Sequence, residues 1–168
     1  MKIKPHPLTE IYHNKLNMLL STEQQCLTCF SKLSFTAFTH ELRAGLTPDS
    51  FDQKQHIVRL KQCLSLAKVK HSKVVDETMT ALLKQAEQAR KLTRSPSLSR
   101  DLALLAIGLK ILNVNQGCYH ELLQIAGALE QEVPGQLLEQ SWKDHQNACN
   151  YLSQLAANVL YPEVLKPS

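Results

Sequence analysis

Apolar residues recur at helical spacing over most of the chain. From Leu8 to Leu33 they fall at Leu8, Ile11, Tyr12, Leu16, Leu19, Cys26, Phe30 and Leu33. That pattern predicts a long amphipathic helix with Pro7 in its first turn. One acidic residue, Glu23, lies on the stripe between Leu19 and Cys26. Ser34 to Thr39 is a break. A second helix then begins near Thr39 and runs through Leu42 and Leu46 until Pro48 interrupts it, because proline lacks the backbone donor and crowds the preceding turn. Thr47 can cap a restart with Pro48 in the first position. From there Phe51, Asp52, His56, Leu60, Cys63, Leu64 and Ala67 form a second stripe.

Lys68 to Val75 reads as a polar linker, followed by a shorter helix at about 75–91 through Met79, Leu82, Leu83 and Ala86, with Asp76 as its N-cap. Leu92 to Ser99 carries turn residues. Ser97 or Ser99 can cap a third long helix over Leu98 to Leu129, with Asp101 in its first turn, where the dipole favours a negative charge. A turn at Glu132-Val133-Pro134-Gly135 leads to a last helix through Leu138, Ser141, Trp142, His145, Ala148, Cys149, Leu152, Leu155 and Val159, which Pro162 ends. Four helices of about 25 residues, joined as two hairpins by one long crossover with its own small helix, have the connectivity of a ferritin-like bundle. The expected architecture is one all-α domain over residues 1–168.

Composition agrees. Only 5 of 168 residues are glycine and 5% are aromatic, which disfavours sandwiches and barrels. The net charge of +4 is spread along the chain, so no nucleic-acid partner is expected. No uninterrupted apolar run and no leader-like N-terminal segment suggests a membrane or export. Five cysteines without a secretory signal read as reduced cytoplasmic thiols.

Several segments carry a family likeness. TEQQCLTCF at 22–30, THELRAGL at 39–46, QHIVRL at 55–60, DLALLAIGLK at 101–110 and LLEQSWKDHQNACNYL at 137–152 resemble, in order, motifs of the YciE/YciF branch of bacterial ferritin-like proteins. The resemblance implies the ferritin-like fold and a stress-related setting. It also implies a metal site to which Glu23, Asp52 and His56 contribute. On the third helix the family's acidic ligands align with Leu112-Asn113-Val114-Asn115, and on the fourth with His145 and Cys149, leaving only Asp144 nearby. A di-iron bundle needs carboxylates from all four helices, so the substitutions argue against an ordinary di-iron centre.

Glu23, His56, Asn115 and His145 all sit on apolar stripes and should meet at one level. The expected state is a hydrogen-bonded polar layer without a cofactor, because an unpartnered buried carboxylate costs several kcal/mol. The alternative is a mononuclear Fe, Mn or Zn site on Glu23, Asp52, His56 and His145, with Asn115 and Cys149 at matching positions. Cys26 and Cys29 form a CxxC inside a helix, which reads as small core residues. Tyr119, His120 and Glu121 are adjacent and point apart, so they share no site. Trp142 reads as a core or interface anchor. Function is expected to be non-catalytic and to work through self-association as a homodimer. Leu20, Leu27, Leu105, Leu109 and Leu123, beside the core stripes, would supply the second contact. The competing reading is a metal-binding protein or oxidase.

Overall fold

The computed structural model describes residues 6–167. Among them every regular element is helical. They are α1 (Pro7–Thr36), α2 (His40–Gly45), α3 (Gln53–Leu66), α4 (Glu77–Arg90), α5 (Leu98–Ala128), α6 (Glu132–Leu155) and α7 (Tyr161–Val164). A 3₁₀ turn at Pro48–Phe51 precedes α3, and a π-helical turn at Ala156–Leu160 joins α6 to α7. α1, α3, α5 and α6 form the bundle: α1 lies beside α3 and α5, and α6 beside the same two. α4 is the crossover helix and packs on α5 and α1.

The N-terminal signals act as their chemistry dictates. Asp76 accepts from the Met79 amide to cap α4, and the Ser97 hydroxyl accepts from Arg100 to cap α5. Three boundaries differ from expectation. The chain does not resume an α-helix at Pro48; it makes one 3₁₀ turn, and α3 starts only after Asp52, whose φ of 57° reverses the backbone. The second long helix is therefore a 14-residue α3 behind the separate α2. At the far end, residues 132–135 are the first turn of α6 rather than a preceding turn, where Pro134 gives up no intrahelical bond. Pro162 does not stop the chain either, since it sits in the first turn of α7.

Asp101 does more than complement a dipole. Fully buried, it accepts from the Phe38 amide (2.7 Å), the Thr39 amide (2.8 Å) and the Thr39 hydroxyl (2.7 Å). It thereby ties the α1–α2 junction to the start of α5. Arg100 reinforces the joint by donating to the Thr36 carbonyl.

The core has two apolar halves. One gathers Phe30, Leu33, Leu42, Leu46, Leu104 and Ile111, and the other Tyr12, Leu16, Leu60, Tyr119 and Leu138. Each fully buried Leu or Phe contributes about 1.5–3 kcal/mol, enough for the two halves to support a costly polar layer between them. Of the leucines expected to face a second chain, Leu20 and Leu105 are buried and Leu27, Leu109 and Leu123 are half-buried. Leu109 packs against one half of the core and Leu123 against the other, so these stripes are wide rather than doubled. α5 is long and apolar enough to cross a membrane by length and composition, yet Leu104, Ile107, Ile111 and Leu122 are buried in this bundle.

Candidate metal centre

The polar layer is built from three helices. Glu23 on α1, His56 on α3 and His145 on α6 are each completely buried, and their donor atoms lie within 4.8 Å of one another. Each occupies the inward position of its own stripe, which brings them together as the spacing predicts. Around them stand Phe51, whose ring centroid is 6.1 Å from that of His56 and 6.2 Å from that of His145, and Tyr119, at 6.0 Å and 5.1 Å. The two imidazoles stack at 4.6 Å.

Glu23 is held at both oxygens. Tyr119 donates its hydroxyl to Oε1 at 2.9 Å, and the Gln53 amide donates to Oε2 at 3.0 Å. His56 Nδ1 and His145 Nε2 both face Oε1 at 3.4 Å, without a hydrogen-bond partner. Their other nitrogens are occupied. His145 Nδ1 lies 2.9 Å from the Ser141 carbonyl, which can only accept, so Nδ1 carries a proton. His56 Nε2 lies 3.2 Å from Asp144 Oδ2, another acceptor. Asp144 is in turn held by Arg59 at 2.7 Å and by Gln140 at 3.1 Å. These outer partners select the tautomers that aim the remaining lone pairs inward, the arrangement that orients histidine ligands in metal sites.

Charge in the layer follows from the same contacts. Burial alone would raise the Glu23 carboxyl, but His56, His145 and the Gln53 amide outweigh it and hold it down at about 2. Burial opposes a charge on His56, yet Asp144 and Glu23 together raise it above the ordinary histidine value. For His145 burial dominates the attraction of Glu23, and its value is lowered. Burial, and then the Glu23 charge, push the Tyr119 hydroxyl well up, so it remains a donor. The contacts thus favour the charged form of His56 and disfavour that of His145.

Asp52, expected as a ligand, is a correction. It is exposed, in the left-handed conformation just before α3, and Gln53 turns inward instead. Aspartate tolerates that backbone conformation better than most residues, which accounts for its place there. Asn115 is buried at the same level, but its amide donates to Cys26 Sγ at 3.6 Å rather than to Glu23. Cys149 is half-buried against the apolar core and takes no part. Cys26 is a core residue, as its helical placement implies, and Cys29 is half-buried beside it. Trp142 is half-buried against the Tyr12–Leu138 half of the core, in keeping with a core or interface anchor, and stacks on His120 at 5.2 Å. The adjacent trio separates as expected, with Glu121 paired to Lys15 at the surface. Tyr119 nevertheless belongs to the site by itself. It and Gln53 were missed, although Tyr119 stands one helical turn from Asn115 and Gln53 one turn from His56.

Two helical hairpins joined by a crossover helix define a ferritin-like bundle, and one carboxylate and two imidazoles are buried together at its centre. The chain belongs to the family described as a domain of unknown function (DUF892), whose model matches residues 7–164. This is the YciF-type family that the sequence motifs resemble. The E. coli stress protein YciF superposes with a TM-score of 0.84 at 20% identity, covering 94% of this chain and 97% of that one. YcfI from Rhodopseudomonas palustris gives 0.81 at 20% identity over 91% and 97%. Among curated proteins, none matches this sequence.

Proposed function

We propose that the chain is a non-catalytic, stress-related ferritin-like bundle whose central layer holds one divalent transition-metal ion on Glu23, His56 and His145. One observation carries the reading: two fully buried imidazole nitrogens, each without a hydrogen-bond partner, face the same carboxylate oxygen at 3.4 Å. Two imidazoles and a carboxylate suit zinc, iron or manganese. When bound, such an ion supplies the positive charge toward which all three donors point. A second ion does not fit, because Leu112 and Asn115 stand where α5 would have to offer carboxylates. Structural metal sites are closed and catalytic ones keep an open position. Complete burial of all three donors therefore supports a structural role, in which the ion cross-links three of the four bundle helices. The stress-related setting rests on the likeness to the E. coli stress protein YciF. A reducing, cytoplasmic location is supported by five unpaired cysteines.

Metal analysis of the purified chain, with thermal unfolding before and after chelation, tests the site. About one Fe, Mn or Zn per chain is expected, with a midpoint that falls on chelation and recovers on adding the metal back. Purified protein that holds none of these, and whose midpoint ignores added metal, overturns the reading.

Self-association as a homodimer belongs to the same proposal. Its support is the end of the bundle formed by the last turn of α1 and the segments after α1 and α4, where Phe35 is 85% exposed, Leu92 57% and Phe38 51%. Exposed aromatic groups of that kind mark contact surfaces. Sedimentation should give a dimer at tens of micromolar that Phe35→Ser dissociates; a monomer for the unaltered chain would remove this part.

A further inference from the structure

α4 runs alongside α1 in the same direction. Met79 Sδ meets Cys26 Sγ at 3.6 Å near the start of α4, and Arg90 Nε reaches Thr36 Oγ1 at 3.0 Å at its end. Between the two helices lies a cleft of about 590 Å³, within the range of small-molecule sites. Its near end is closed by the strap that precedes α4. That strap is pinned to α1, because the Ser72 amide donates to Asn17 Oδ1 at 2.9 Å and the Val74 amide to Ser21 Oγ at 3.2 Å. From Ser21 to Lys32 the α1 wall extends about 16 Å at roughly 1.5 Å per residue.

The cleft has an apolar middle and a cation at each end. Leu83 and Ala86 of α4 and Cys29 of α1 line the middle. Lys73, with His71, stands at the strap end, and Lys32 with Arg90 at the other. Glu87 also lines the far end, but it pairs with Arg90 at 2.6 Å and with Lys91 at 3.0 Å. Among the described residues neither Lys32 nor Lys73 has an ion-pair partner. Each end is thus left with one uncompensated lysine charge.

We propose that this cleft binds an elongated organic dianion of the α,ω-dicarboxylate class, with one carboxylate at Lys32, the other at Lys73 and the hydrocarbon chain over Leu83 and Ala86. The site is separate from the Glu23 layer and stands whether or not that layer holds metal. Both lysines are exposed, so replacing them leaves the core untouched.

Calorimetric titration with sebacate, decanoate and 1,10-decanediol tests the proposal. Sebacate should bind. Lys32→Gln and Lys73→Gln should each weaken it by about fivefold, the upper end for an exposed ion pair. Decanoate should bind about fivefold more weakly than sebacate, and the diol not detectably. Thr28→Trp, a change on the exposed wall of the cleft, should block binding while the far-ultraviolet spectrum and melting midpoint stay unchanged. Absence of sebacate binding, equal affinity for decanoate, or undiminished affinity in the Lys32→Gln/Lys73→Gln double variant would each overturn it.

Discussion

His145 Nε2 and Glu23 Oε1 lie 3.4 Å apart at the centre of the bundle, and the imidazole's other nitrogen is bound to the Ser141 carbonyl. A neutral His145 in that tautomer turns a lone pair toward a carboxylate, so two acceptors confront each other in a space closed to water. Such a contact is repulsive until a proton or a cation stands between the two groups. The neighbouring His56 faces the same oxygen through Nδ1 at 3.4 Å, and Asp144 and Glu23 favour its charged form, which makes the pair Glu23–His56 the first place to probe.

Removing one member of a buried ion pair strands the other, whereas replacing both by apolar groups is often neutral. Glu23→Leu in chelator-treated protein should therefore cost about 3 kcal/mol, and His56→Leu should also destabilise. The Glu23→Leu/His56→Leu double variant should cost less than the sum, with a coupling of about 1–3 kcal/mol. Urea unfolding of the four proteins checks this. Additive costs would mean that the two side chains do not interact as their 3.4 Å separation requires.

The pH dependence of the metal-free protein has two edges, besides the stability that the lowered His145 loses as pH falls below 6.5. Glu23 is held at about 2, against an ordinary 4.5. Asp144 is likewise at about 2, because His56, Arg59 and Gln140 outweigh its burial. Carboxylates lowered by folding contribute stability that is present above their unfolded values and lost as pH falls through the folded ones. The acid edge should thus lie between about pH 4.5 and 2, and Asp144→Asn should flatten it. His56 is raised on folding, so its contribution is complete below its unfolded value of 6.5 and fades as pH climbs through the folded one. Unfolding midpoints measured across pH 2–9 should show both edges, and His56→Gln should remove the upper one.

Much of this was legible in the chain. Period-3.6 stripes located the four bundle helices, and the odd polar residue on three of them (Glu23, His56, His145) marked the layer, because a charged group on an apolar face must meet a partner. What the stripes could not convey was the backbone reversal at Asp52. A left-handed residue rotates everything after it, which put Gln53 rather than Asp52 against Glu23. Tyr119 was hidden for a different reason: taken with its neighbours His120 and Glu121, which point apart, it offered no shared site, and its hydroxyl becomes informative only once Glu23 is seen beside it. The extra leucines are buried or half-buried within one chain, where a crossover helix on α1 and α5 widens the surface that chain can cover.

Asp101 offers a test away from the layer. Its carboxylate satisfies two backbone amides and one hydroxyl in a fully buried joint. Asp101→Ala would leave those donors unmet and should destabilise by about 3 kcal/mol, since charged acceptors contribute more than neutral ones. Asp101→Asn keeps one acceptor oxygen and should cost roughly half as much. Amide exchange at Phe38 and Thr39 should speed up in the alanine variant before the rest of the bundle is affected.

The glycines of α5 separate backbone cost from packing. Glycine inside a helix is about 1 kcal/mol less favourable than alanine. A Cβ added at Gly117 meets nothing within 4 Å, so Gly117→Ala should stabilise by about 0.5–1 kcal/mol. At Gly108 the added carbon comes to 3.0 Å from Leu46 Cδ2, and Leu46 is fully buried with little room to yield. There the propensity gain is offset by overpacking, so Gly108→Ala should be neutral or destabilising by about 1 kcal/mol. Denaturant midpoints for the two variants should move in opposite directions, or the second should not move at all. An equal rise in both would mean that α5 and the α2 end of the bundle are less closely packed at Leu46 than the 3.0 Å approach requires.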